Sequence, residues 1–205
     1  LGGGSLELVE LKGTRLGPGR TYPLGGIRLS EAAEGSPRKA EKIAEDVLRS
    51  SDVLAHAAGR PFYAVGGTWR SLARLHQYQT GYPLHVMHEY AMAADEALEF
   101  CRSVARGDIE ALDRIEVISK QRRDLLPFGA TVLAQIIRIG RPSHVVLSAL
   151  GLREGHLFDL LDHEEQARDP LIAAAEELAS LRSRSPRHAH ELGPWTGRVF
   201  EALGI

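Results

Sequence analysis

A four-residue apolar run, Phe62-Tyr63-Ala64-Val65, is followed by Gly66-Gly67-Thr68 and at once by a helical register, Trp69-Arg70-Ser71-Leu72-Ala73-Arg74-Leu75. Strand, glycine turn and helix in immediate succession restrict the fold more than any other feature of the chain. Such a turn leaves the first helical N–H groups unpaired and places the positive end of the helix dipole outward, a natural place for an anion or nucleotide. The pattern recurs. His144-Val145-Val146-Leu147-Ser148 is a second short buried strand, followed by Gly151 and a helix from Leu152 to Leu161. Strands alternating with helices over the first 160 or so residues predict an α/β fold.

Other elements fill in around these two. Residues 6–11 alternate as a half-buried strand with a turn at Lys12-Gly13, and residues 20–25 return as a second strand whose Pro23 suits an edge. Ser36-Pro37 is a helix start, with a capping serine ahead of a proline, and apolar residues run at 3.6-residue spacing from there toward Gly59. Helices are expected at about 91–106, 108–115 and 127–139. From about residue 164 the chain turns to helix alone, with Ser183–Arg187 as a surface connection and a last helix from Trp195 to Leu203.

The chain opens Leu1-Gly2-Gly3-Gly4-Ser5-Leu6-Glu7-Leu8-Val9. Glycines that tolerate positive φ let backbone N–H groups point at a phosphate, although the same run serves equally as a flexible turn. No Gly-Lys-Ser/Thr follows, so it is not a Walker A loop. Glu7 faces opposite to Leu6 and Leu8, where its carboxylate can hold Mg²⁺ or position a water; otherwise it is a solvent-facing strand residue. Arg28, Arg122 and Arg153 can fork onto phosphate oxygens. His85 and His88 lack further ligands for a metal site, His188 and His190 read as surface or capping residues, and Cys101 reads as packing.

Composition narrows the class. With 43% hydrophobic and 25% charged residues in 205, the chain can bury a core. Its net charge of −2 gives no general attraction to nucleic acid or a membrane surface. The single cysteine excludes an internal disulfide framework and suits a reducing cytoplasm. No stretch approaches the roughly 18–20 continuous apolar residues of a membrane span.

Five segments taken in order are more specific than any of them alone. They are Gly2-Gly3-Gly4-Ser5-x-Glu7-Leu8, Pro23-Leu24-Gly25-Gly26-Ile27-Arg28-Leu29, Val65-Gly66-Gly67-Thr68, Arg122-x-Asp124-Leu125-Leu126-Pro127-x-Gly129-Ala130 and Leu152-Arg153-Glu154-Gly155. Together they resemble the exopolyphosphatase and guanosine-pentaphosphate phosphohydrolase family (Ppx/GppA). The resemblance implies an actin-like ATPase (ribonuclease H-like) α/β fold with two related domains around a cleft. Residues 1–163 would be the second of the two, and 164–205 the start of an all-α, HD-like extension. It implies Mg²⁺-dependent release of terminal phosphate from inorganic polyphosphate. Guanosine pentaphosphate hydrolysis, or an idle polyphosphate- or alarmone-binding regulatory module, are the alternatives, and a homodimer is compatible with either. By the same resemblance Gly2, Gly3, Gly4 and Ser5 would form the second phosphate-binding turn, with Glu7 the metal-linked or water-positioning carboxylate. Gly66, Gly67 and Thr68 would be the turn on the nucleoside side, or a purely structural turn, and Arg28 would steer the polyanion. An aspartate ahead of Leu1, a first phosphate turn and the catalytic base are expected on an N-terminal domain, so this chain alone is expected to be inactive.

Overall fold

A computed structural model describes residues 1–13, 15–84, 86–107 and 123–204. The chain divides into two compact units, Leu1–Gly151 and Leu152–Ile205.

The first unit is mixed α/β. Its elements in order are β1 (Leu6–Leu8), β2 (Leu11–Lys12), β3 (Arg15–Leu16), β4 (Arg20–Tyr22), α1 (Gly26–Ala32), α2 (Pro37–Leu48) and α3 (Asp52–Ala55). Then follow β5 (Phe62–Val65), α4 (Gly67–Gln79), β6 (Tyr90–Ala93), α5 (Ala94–Arg106), α6 (Leu126–Gly140) and β7 (His144–Ser148). The sheet order is β5-β7-β6, with β7 parallel to β5 and antiparallel to β6. As the middle strand, β7 buries Val145, Val146 and Leu147 on both faces, which explains its unbroken apolar sequence. A separate antiparallel pair sets Leu6 opposite Tyr22, Glu7 opposite Thr21 and Leu8 opposite Arg20.

Helix α6 is the axle of this unit. Nearly every residue from Leu126 to Ile137 is buried, and the helix packs against α5 and α2 and also touches α1, α3 and α4. A helix that is apolar all round has no solvent face to offer and must be enclosed. Leu6, Leu24, Leu29, Leu72, Leu126 and Leu133 form the centre of one continuous core, each at most 1% exposed. Truncating any of them to alanine would cost about 2–5 kcal/mol. Trp69 is buried edge-to-face on Phe62 and satisfies its indole N–H on the Gly129 carbonyl at 3.1 Å.

Three sequence expectations change. The strand expected over 6–11 breaks at Val9-Glu10 into β1 and β2. The helix from Pro37 stops at Leu48, because the Ser51 hydroxyl accepts the Leu54 amide at 3.3 Å and starts α3 afresh. Residues 90–93 form β6, not helix; pairing with β7 overrides the helical preference of its alanines and methionine. Helix α1 was not anticipated at all, and the helix expected over 108–115 lies outside the described residues.

The second unit is all helical: α7 (Leu152–Asp159), α8 (His163–Ala167), α9 (Pro170–Arg182) and α10 (Pro186–Leu203). Asp162, Asp169 and Ser185 each cap the helix that follows. The Ser185-Pro186 cap starts α10 nine residues earlier than Trp195, so Ser183–Arg187 is partly helix start and Pro194 lies inside a helix. None of this unit's described residues is buried. No helix among the described residues is long and apolar enough to cross a membrane.

Candidate phosphate site

The opening turn is built on the start of α1. The Gly2 amide donates to the Ser5 carbonyl at 3.0 Å, closing the turn. The Gly2 carbonyl accepts the Gly26 amide at 3.1 Å, and the Gly3 carbonyl accepts Ile27 at 3.0 Å and Arg28 at 3.2 Å. Helix α1 therefore spends its first free N–H groups on the turn and offers none of these to an anion. The amides of Gly3 and Gly4 make no hydrogen bond among the described residues, and both residues are exposed.

The glycines that cannot be replaced are not those of the run itself. Gly2, Gly3 and Gly4 all have negative φ, so the expected need for left-handed backbone does not hold there. A Cβ on Gly4 would meet nothing within 4 Å, whereas one on Gly25 would lie 2.3 Å from the Ser5 nitrogen and 2.4 Å from the Gly3 carbonyl. Gly66 has φ +130°, and its Cβ would fall 2.4 Å from the Leu1 carbonyl oxygen. A Cβ on Gly129 would fall 2.3 Å from the Thr68 methyl. Gly25, Gly66 and Gly129 thus draw α1, α4 and α6 onto the Leu1–Ser5 segment. Gly25 and Gly129 were not among the predicted site residues. Their signal is glycine at or beside a helix entry, directly after Leu24 in one case and two residues after Pro127 in the other.

Strand β5 and helix α4 form the second side. The Leu1 nitrogen donates to the Val65 carbonyl at 2.9 Å, which sets the opening segment against the end of β5. Helix α4 has no side-chain cap, and its first intrahelical bond runs from Arg70 to the Gly66 carbonyl at 3.0 Å. The amides of Gly67, Thr68 and Trp69 have no partner among the described residues, so the positive end of a 13-residue helix is open.

Glu7 stands between buried Leu6 and Leu8 and is itself exposed, as the alternation predicts. The Ser5 hydroxyl donates to its Oε1, leaving Oε2 free. Among the described residues no group of three or more His, Cys, Asp or Glu is placed to hold a metal. Glu7 is therefore a single carboxylate. That fits Mg²⁺, which keeps several waters and shares its shell between one or two carboxylates and substrate phosphates. Arg28 lies exposed in the first turn of α1, and its guanidinium has no partner among the described residues.

The remaining candidates do not join this group. Arg153 belongs to the second unit, and Arg122 and His85 lie outside the described residues. His88 is 3.9 Å from its neighbour Glu89; His188 and His190 are exposed beside Glu191 and Glu176. Cys101 is fully buried and its thiol is pushed up to about 12, which makes it inert packing.

Residues 1–164 match the model of the Ppx/GppA phosphatase family, and residues 171–205 match that of the exopolyphosphatase C-terminal domain. The fold is similar to a type II variant crystal structure of the Aquifex aeolicus Ppx/GppA phosphatase, at 21% identity and TM-score 0.61 over 76% of this chain and 53% of that one. It is also similar to an exopolyphosphatase from Cytophaga hutchinsonii, at 15% identity and TM-score 0.62 over 78% of this chain and 55% of that one. The chain thus spans about half the length of these proteins. No curated protein sequence matches significantly.

Proposed function

Because the chain belongs to the Ppx/GppA phosphatase family, we propose that it supplies one half, the second of two actin-like domains, of a cleft that removes terminal phosphate from inorganic polyphosphate. The observation that carries this reading is the convergence at the Leu1–Ser5 turn. Free amides of Gly3 and Gly4, the open start of α4 and the exposed Glu7 carboxylate all belong to segments held together there by Gly25, Gly66 and Gly129. Phosphoanhydride hydrolysis demands charge neutralisation and an in-line water more than covalent chemistry, and these groups supply both.

In this mechanism the Gly3 and Gly4 amides bind oxygens of the terminal phosphoryl group. Ser5 fixes the Glu7 rotamer through Oε1, so that Oε2 orients water at the phosphorus or takes one position in a Mg²⁺ shell. Mg²⁺, when bound there, would neutralise developing charge on the phosphate oxygens. Arg28 draws the polyanion toward the turn. The base that takes the water's proton belongs to the opposing half of the cleft. Polyphosphate is favoured over guanosine pentaphosphate because Gly66 is committed to close packing on Leu1, which gives the expected nucleoside-side turn a structural duty. The match of residues 171–205 to an exopolyphosphatase C-terminal domain supports the same choice.

The test is phosphate release from long-chain polyphosphate and from guanosine pentaphosphate, with Mg²⁺ or EDTA, by this chain and by a longer protein carrying both halves. Release from polyphosphate by the two-halved protein alone is the expected result, and Glu7→Gln should lower it by at least about tenfold. Tight binding with no Mg²⁺-stimulated release from either substrate would sink the catalytic reading in favour of a regulatory module.

A further inference from the structure

On another face of the first unit, α2, α5 and α6 enclose a cavity of about 180 Å³ whose walls, among the described residues, carry Arg38, Arg102, Arg106 and Arg138 against one carboxylate, Glu41. It shares no residue with the glycine turns. We propose that this groove is a second anion site, built for a tetrahedral phosphate-type oxyanion.

The floor is rigid. Gln135 is 2% exposed, and its amide is engaged at both ends: the NH₂ donates to Glu41 at 3.3 Å, and the oxygen accepts Arg138 twice, at 3.0 and 2.8 Å. Arg138 is further tied to Glu45 at 2.8 Å. A fixed network of this kind sets the Glu41 and Arg138 head groups in place without consuming Arg38 or Arg102. Arg38, in the first turn of α2, and Arg102, on α5, have no ion pair among the described residues. Asp95 and Glu99 share the outer flank of α5 with Arg102, yet neither pairs with it. Arg102 and Arg106 are spaced i, i+4, where like charges on a helix repel. A buried polar floor in a groove that Arg38 and Arg102 also line suits forked recognition of an oxyanion.

Size selects the ligand. Drug- and nucleotide-sized ligands occupy pockets of about 300–1,000 Å³, so the enclosed volume favours a small oxyanion over a nucleoside phosphate. It suits one phosphoryl group, either as free orthophosphate or as the end of a longer phosphate chain.

Isothermal titration of the full chain at low salt with orthophosphate and, separately, with tripolyphosphate tests the proposal. The expected result is a binding event that Arg38→Gln/Arg102→Gln weakens at least tenfold and that Glu7→Gln/Arg28→Gln leaves in place. The Gln135 side-chain amide resonances should shift on titration. Orthophosphate binding would mark the free ion as ligand; binding of tripolyphosphate alone would mark the end of a chain. Both arginines are exposed, so far-UV circular dichroism and the single Arg102→Gln variant guard against a folding defect. Unchanged affinity in the double variant, or no binding of either anion at millimolar concentration, overturns the site.

Discussion

Gly25→Ala separates a packing glycine from a binding glycine. The backbone at Gly25, φ −59° and ψ 148°, is open to alanine, so the cost is purely steric. The new Cβ would lie 2.4 Å from both the carbon and the oxygen of the Gly3 carbonyl and 2.3 Å from the Ser5 nitrogen. These are backbone atoms and cannot rotate away. Restoring ordinary contact moves the turn by about 1 Å and breaks the bonds that Ile27 and Arg28 make to the Gly3 carbonyl at 3.0 and 3.2 Å. Overpacking of this kind costs about 1–3 kcal/mol, and each lost bond adds about 0.5–1.5 kcal/mol. The gain from a stiffer unfolded chain returns about 0.4–1 kcal/mol. The net expectation is a loss of about 1–6 kcal/mol, centred near 3. Urea unfolding followed through buried Trp69, in a Trp195→Phe background, should show a midpoint lowered by about 1–2 M. Gly4→Ala meets nothing within 4 Å and should stay within about 0.5 kcal/mol of wild type. Equal midpoints for the two variants would refute the packing argument.

Gly129→Ala brings a Cβ to 2.3 Å from the Thr68 methyl and should destabilise, but Thr68→Ser removes that methyl. A double-mutant cycle by urea unfolding should therefore show favourable coupling of about 1–3 kcal/mol. His76 is buried, with Nδ1 2.7 Å from the Tyr90 hydroxyl, and desolvation holds its pKa below the usual value despite Glu96. The unfolded state then binds the proton first, so stability is highest above pH of about 6.5 and falls as pH drops from there toward the lower folded pKa. Unfolding at pH 7.5 and 5.5 should show that loss, and His76→Gln should remove it. Cys101 should resist a thiol reagent in the folded protein and react fully in urea, because it is buried and its pKa is raised to about 12; a fast reaction under native conditions would contradict the packing.

Short-range chemistry made much of this protein readable from its residues. Ser36-Pro37 could only begin a helix, Val145–Leu147 could only be an enclosed strand, and Gly66-Gly67 after an apolar run could only turn into α4. The alternation Leu6-Glu7-Leu8 likewise determined that Glu7 faces solvent. What the residues could not reveal depends on partners far along the chain. Strand β6 exists because β7 pairs with it, and α1 begins where the carbonyls of Gly2 and Gly3 are available to receive its amides. The site shows the same division. Glycine-rich segments and an exposed carboxylate are local facts, and they were legible. Which glycines are indispensable was not, since a missing Cβ matters only where another backbone approaches to within its radius. Only the tertiary structure brings Gly25 to Gly3, Gly66 to Leu1 and Gly129 to Thr68.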